Sequence, residues 1–318
     1  MTQPQAHPDV LGAGWTARTL ELRPDGRTPG PVATLVEHTP DRPASRRAVL
    51  YVHGFVDYFF HTDFATALEG AGYDLFALDL RDFGRSIQEG RPANFTTSLA
   101  AFREEIDASI ALLRHDHDQV VLLGHSMGGL VSALWADARA GTGKIDALVL
   151  NSPWLELRGN WFERTAFTAA LDVVGKLAPM VPVGKVAPFY GEALHRDTGG
   201  EWDYELMWKP HAGFPGRAGF GRTVRRGHKQ VARGLAIDVP VLVLASDRSG
   251  PDARWHEEIL TTDSVLDVAH IRERAPLLGP DVTFVEIPGG AHDLALSPAP
   301  AREHYTAEVV AFLDARLT

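Results

Sequence analysis

The sequence predicts an α/β fold, a mostly parallel central sheet flanked by helices, with an inserted and mainly helical segment. Three observations predict it. Short unbroken runs of β-branched residues and leucine recur along the chain, as in strands buried on both faces. Helical patterns alternate with these runs, the order that builds a parallel sheet covered by helices. The alternation lapses once, over the roughly 85 residues from Ser152 to Asp238, which is too long for a bare loop in a compact domain.

Taken in order, Trp15 to Leu22 and Pro31 to His38 alternate apolar and polar residues around the turn-forming Pro24-Asp25-Gly26. They read as an antiparallel hairpin or two neighbouring strands. Buried strands follow at Ala48–Val52, Leu75–Leu80, Val120–Leu123, Ala147–Leu150, Val241–Ala245 and Val282–Ile287. Helical patterns lie at about 62–70, 98–114, 127–140, 268–277 and 301–316; the last is amphipathic and should pack on the sheet. The interrupting segment is rich in Trp, Phe, Gly and Pro and reads as a cap over the strand ends. The domain organisation is therefore a core of residues 1–153 and 236–318 and a cap of 154–235. Trp154, Trp161, Phe162, Phe167, Trp202 and Trp208 either line an apolar pocket there or form the cap's own small core.

Composition excludes several functions. The formal charge of −10, from 31 basic and 41 acidic residues, argues against nucleic acid as a partner, since such proteins carry a basic face. A local basic stretch from Arg217 through Arg222, Arg225, Arg226 and Lys229 to Arg233 reads as a solvated segment, with recognition of an anionic head group as the alternative. Cysteine is absent, so disulfides, thiolate metal sites and a cysteine nucleophile are excluded and a reducing compartment fits. The N-terminal stretch lacks the basic start and apolar core of a signal peptide. No apolar run approaches the ~20 residues that span a bilayer. The expectation is a soluble, cytoplasmic protein without stable membrane insertion.

The chemistry concentrates in Gly124-His125-Ser126-Met127-Gly128, directly after VVLL and directly before a helical pattern. A serine in G-x-S-x-G at a strand–turn–helix junction is presented at a sharp turn, and its neighbours must be small. A hydroxyl needs a base to become a nucleophile. Of the 14 histidines, His292 sits in a Gly-rich turn just past the last strand, late in the chain as the order serine, acid, histidine requires. His304 lies on the final helix and reads as a surface residue. His115 and His117 read as a solvated helix end rather than a metal site, and no metal is expected.

Two carboxylates follow the strand VLVLA, Asp247 at once and Asp263 after a further segment. Only one helix and one strand need to fit between acid and base, which favours Asp263, with Asp247 as the alternative. Acyl transfer also needs oxyanion donors. The backbone N–H groups of Phe55, in the turn after AVLYV, and of Met127 are the candidates. Gly54, His125 and Trp154 are expected beside the substrate, together with His53, whose imidazole would anchor the loop.

Together these residues resemble the monoacylglycerol lipase and lysophospholipase branch of the α/β-hydrolases, sometimes grouped with serine aminopeptidases. The resemblance rests on YVHGF at 51–55, AGYDLFALDLRDFGRS at 71–86, LLGHSMGG at 122–129 and GGAHD at 289–293. It covers about 48–153 and 238–318, and not the cap. Asp82 stands where the branch has glycine after the arginine, a change expected to alter the loop but not the chemistry. The resemblance implies hydrolysis of a small-molecule carboxylic ester, such as a monoacylglycerol or lysophospholipid, through an acyl-enzyme and without a cofactor. Amide cleavage by the same residues is the rival activity, and a non-catalytic binding protein on the same fold the rival class.

Overall fold

Strands without a polar face are stable only at the centre of a sheet covered on both sides, because alternate residues point to opposite faces. A computed structural model of the chain describes residues 6–39, 43–159 and 161–317, with the side chains of 161–164 left out. Trp161 and Phe162 therefore lie outside the described side chains, as does the very start of the N-terminal stretch.

The sheet is built from β1 (Ala6–Pro8), β2 (Trp15–Glu21), β3 (Val32–His38), β4 (Arg47–Val52), β5 (Asp74–Asp79), β6 (Gln119–His125), β7 (Ala147–Asn151), β10 (Val241–Ser246) and β11 (Val282–Ile287). β8 (Pro182–Gly184) and β9 (Gly216–Arg217) form a separate small ribbon. The spatial order of the main sheet is β1-β2-β3-β5-β4-β6-β7-β10-β11. From β5 to β11 all neighbours are parallel, and the β1, β2 and β3 edge is antiparallel. The α/β-hydrolase fold expected from the sequence is thus observed, and the first two expected strands pair antiparallel, with Trp15 opposite His38. β1 was not expected.

Residues of period two divide between two cores. Leu50, Val52, Leu122 and Leu148 face one side, where α2 (Arg103–Asp116), α3 (Met127–Asp137) and α7 (Val268–Arg274) supply Ile106, Leu130 and Ile271. Val49, Tyr51, Val121 and Val149 face the other, under Phe64 and Leu68 of α1 (Thr62–Gly70) and Tyr305, Val309 and Leu313 of α8 (Ala299–Arg316). Each large side chain so buried contributes about 1.5–3 kcal/mol. The four-residue spacing of Tyr305, Val309 and Leu313 is the amphipathic stripe that seats the last helix on the sheet. At the end of α2, His115 is exposed as expected, but His117 is buried and bonds to Leu113 O (2.8 Å) and Asp74 (3.3 Å).

Between β7 and β10, no strand among the described residues joins the main sheet. It forms α4 (Trp161–Leu177), the β8–β9 ribbon, α5 (Phe189–Leu194) and α6 (Ala218–Ala232). The basic stretch is mostly α6, and it is not wholly solvated. Arg225 is buried and pairs with Glu156, in the loop after β7, and with Thr168 of α4 (2.8 Å). Glu156 also accepts from Arg274 of α7 (3.1 Å). One carboxylate thereby joins the inserted segment to the core. Trp202 is buried in a separate cluster with Tyr58, Phe60 and Tyr204, against which Trp208 packs. Among the described residues no helix is long and apolar enough to cross a membrane.

Burial alone would raise the Glu156 pKa, but Arg225 outweighs it and holds the group at about 2 against an ordinary 4.5. A depressed carboxylate stabilises the fold fully above its unfolded value and loses that contribution as pH falls through its folded value. Glu156→Gln should therefore unfold more easily than wild type at neutral pH, by about 3–5 kcal/mol for a broken buried pair. The gap should close between about pH 4.5 and pH 2. Denaturant melts of both proteins across that range check it.

Candidate active site

The turn between β6 and α3 is dictated by lack of room. A Cβ on Gly128 would stand 2.3 Å from the carbonyl oxygens of Val52 and His53, and one on Gly124 2.5 Å from Gly128 O. With the positions two residues before and after it stripped to glycine, the chain reverses at Ser126, whose φ is 52° and ψ −115°. Such angles are costly for any residue with a side chain and persist only where the surroundings enforce them. Here the Ser126 N–H donates to Asn151 O of β7 (3.0 Å), and its carbonyl accepts from Trp154 (2.9 Å) and Leu130 (3.2 Å).

Ser126 Oγ lies 3.0 Å from His292 Nε2. The other ring nitrogen, Nδ1, is 3.0 Å from each oxygen of Asp263. Asp263 is fully buried and also accepts from the N–H groups of Leu266 (2.7 Å) and Val265 (2.9 Å). Burial pushes its carboxyl up, but the facing His292 ring and those two amides outweigh it and hold it below its ordinary value. A carboxylate kept ionised here fixes the proton on Nδ1, leaving Nε2 to accept from a hydroxyl. The structure thus brings Ser126, His292 and Asp263 into one line. Asp247 stands apart from it and accepts the Gly289 N–H (3.0 Å), bracing the turn before His292.

The loop after β4 passes against the serine. A Cβ on Gly54 would come within 3.3 Å of Ser126 Cβ and 3.1 Å of His125 Cδ2. Its Gly54 N–H donates to Asp57 (3.2 Å) and its Val56 N–H to Asn94 (2.8 Å), while the Phe55 N–H has no acceptor among the described residues. Met127 opens α3 and so has no helical turn behind it to accept its N–H. Both expected donors are therefore free of competing bonds.

A cavity of about 760 Å³ opens over Ser126 and His292. Gly54, His125 and Trp154, expected beside a substrate, line it, and Phe167 joins them from α4. His53 does not. Its ring is buried behind the loop, accepts the Leu80 N–H through Nε2 (3.1 Å) and reaches Gly54 O through Nδ1 (2.7 Å), so it keeps the anchoring role and loses the substrate-binding one. Residues between Asp247 and Asp263, among them Pro251 and Ile259, form one wall.

Most of the residues that brace the site were not singled out in the sequence. Asp293 holds the His292 turn through Asn151 Nδ2 (2.8 Å) and His61 Nε2 (2.9 Å). The Tyr190 hydroxyl, from α5, accepts the Asp293 N–H (3.0 Å), and its ring lies edge-on to His292. His125 is fully enclosed, and burial pushes it down to about 4, so it is neutral at physiological pH. Asp57, His125 and Asp293 bring ligand-type atoms within 4.8 Å of one another, a spacing a cation could use. The ammonium of Lys209, from the inserted segment, already sits on Asp57. Asp293, adjacent to His292 in GGAHD, and His125, inside GHSMG, were legible; Asp57, His61, Asn151, Tyr190 and Lys209 come from other segments.

The model of the serine aminopeptidase, S33 family matches residues 43–249, a span ending before Asp263 and His292. Phospholipase YtpA of Bacillus subtilis (strain 168) is 31% identical over 150 residues, 45% of this chain and 52% of that protein. The match thus spans about half the length of this curated relative. Among solved structures, the monoacylglycerol lipase of Paleococcus ferrophilus superposes with a TM-score of 0.67 at 22% identity, over 90% of this chain and 99% of that one. A soluble variant of monoglyceride lipase from Saccharomyces cerevisiae gives 0.67 at 14% identity, over 94% and 96%. At these identities the likeness is one of fold.

The crowding at the turn yields a direct expectation. Gly128→Ala forces a methyl group into two backbone carbonyls that cannot move independently, so unfolding free energy should drop by about 1–3 kcal/mol or more. Chemical denaturation measures it; unchanged stability would mean that α3 stands further from β4 than described.

Proposed function

The chain belongs to the serine aminopeptidase S33 family, and from that premise we propose that it is a serine hydrolase cleaving carboxylic esters of apolar acyl groups. The observation that carries this reading is the unbroken line from Ser126 Oγ through His292 to the buried Asp263. Serine, imidazole and carboxylate in that order form a nucleophile, a general base and an orienting anion. The apolar lining of the cavity, with Phe55, Trp154, Leu157, Phe167 and Ile259, favours a hydrocarbon acyl chain. Monoacylglycerols and lysophospholipids are the substrates of that kind in the resembling branch. Residues 154–235 act in this reading as a cap that sets acyl and alcohol specificity.

The cycle uses groups of this chain and one water. His292 takes the proton of Ser126 as the oxygen attacks the ester carbonyl. The Phe55 and Met127 amides receive the charge that develops on the carbonyl oxygen, where a single donor is worth about 10²–10³ in rate. His292 then passes its proton to the leaving alcohol. A water repeats the sequence on the acyl-enzyme and releases the acid.

Wild type should hydrolyse p-nitrophenyl esters from acetate to palmitate and label with a fluorophosphonate, and Ser126→Ala should do neither. Asp263→Asn should lower kcat by about 10⁴ because the imidazole then adopts the wrong tautomer, whereas Asp247→Asn should stay within an order of magnitude of wild type. A protein inert to every ester and to the fluorophosphonate would sink the reading. Labelling without ester turnover would redirect it to amides.

A further inference from the structure

Backbone strain at this site is not confined to Ser126. Val56, Asp82 and Asn94 also have positive φ, at 53°, 64° and 55°, and hydrogen bonds join them. The Val56 N–H donates to Asn94 Oδ1 (2.8 Å). The Asn94 N–H donates to Asp82 O (2.8 Å). The Asp82 carboxylate takes two bonds from Arg91, at 2.6 and 2.9 Å, and Arg91 reaches on to Asp25. Asp82, Asn94 and Arg91 are all buried. A β-branched residue in the left-handed region is strained and is retained only where neighbours over-determine it. Val56 therefore needs a restraint, and Asn94 is the one its own N–H engages.

That restraint has a consequence for the neighbouring amide. Asp57 consumes the Gly54 N–H and Asn94 the Val56 N–H, so the peptide between them is held at both ends and its own N–H, on Phe55, stays free. We infer that Asn94 is a positioning residue for the oxyanion hole, acting through Val56 to set the Phe55 N–H beside Ser126. The inference rests on the serine-hydrolase reading, and Asn94 itself touches no reacting atom. Asp82 has a matching part: the left-handed backbone there is secured by Arg91 and presents the carbonyl that fixes Asn94.

The test compares Asn94→Gly with Asn94→Asp. Glycine accepts the positive φ at no cost, so the backbone is kept while the Oδ1 acceptor and the long Nδ2 bond to Asp82 O (3.5 Å) are lost. Aspartate tolerates the same region and returns an oxygen to the same place. Hydrolysis of p-nitrophenyl butyrate is measured per active site titrated with a fluorophosphonate. The inhibition constant of an alkyl boronic acid, whose adduct on Ser126 carries the tetrahedral geometry, is measured alongside. Asn94→Gly should lower kcat by about 10–100-fold, the scale for a displaced catalytic group, with KM within about twofold. The boronic acid should weaken by the same factor, and Asn94→Asp should recover most of both. Wild-type kcat and boronic-acid affinity per titrated site in Asn94→Gly, whatever its melting temperature, would overturn the inference, as would an Asn94→Asp no better than Asn94→Gly. A wild type inert to ester and fluorophosphonate alike removes the reading beneath and the inference with it.

Discussion

The closeness of α3 to the ends of β4 and β6 is the constraint on which the rest of the molecule depends. Backbone carbonyls of Val52 and His53 occupy the space that any side chain at Gly128 would need. The chain must therefore leave the strand and start the helix within one residue, and Ser126 takes up the whole reversal. Its hydroxyl is then left facing the cavity, beside the first amides of α3, where the helix end favours negative charge. Moving the helix outward by a methyl group would relieve the strain and also withdraw those amides.

Around this turn, buried charge is matched group by group. Asp263 faces His292, Asp293 faces His61 and Asn151, Asp57 faces Lys209, and Asp82 faces Arg91. An isolated ion in such a place would cost several kcal/mol, so each pair admits few other arrangements. The pairs hold backbone as well as charge: Asp57 ties down Gly54, and Asp293 ties down the turn that carries His292. Two partners, Lys209 and Tyr190, come from the inserted segment. That segment is thus joined to groups that brace the reactive residues, and to the core a second time through Glu156 and Arg225.

The parallel strands were legible because burial on both faces leaves an uninterrupted apolar run, and the helices between them because their stripes repeat. β1 was illegible for the opposite reason: its three residues are exposed and include a proline, so pairing with β2 leaves no pattern. The two-stranded ribbon is equally short. Ser126 and His292 could be read from their turns, since the local backbone demands small neighbours. Asp247 and Asp263 could not be separated with certainty, because both follow β10 and the difference lies in the path between them. The chain doubles back so that Ser249 pairs with Asp263, which brings the later aspartate to the ring. His53 was misread as a substrate contact because adjacency to Gly54 does not say which side of a loop faces the cavity.

By itself, the sequence determined whatever depends on near neighbours along the chain. Strand periodicity, the glycine-flanked turn at Ser126 and the late glycine-rich turn at His292 are all local steric demands written into adjacent residues. Tertiary structure alone decided which distant groups share one point in space: Asp263 rather than Asp247 on His292, Lys209 on Asp57, Tyr190 on the Asp293 amide and Asn94 on Val56. Those contacts join residues from separate loops and from the inserted segment. Their partners are selected by packing and by the cost of leaving a buried polar group unpaired, and neither has a period or a motif.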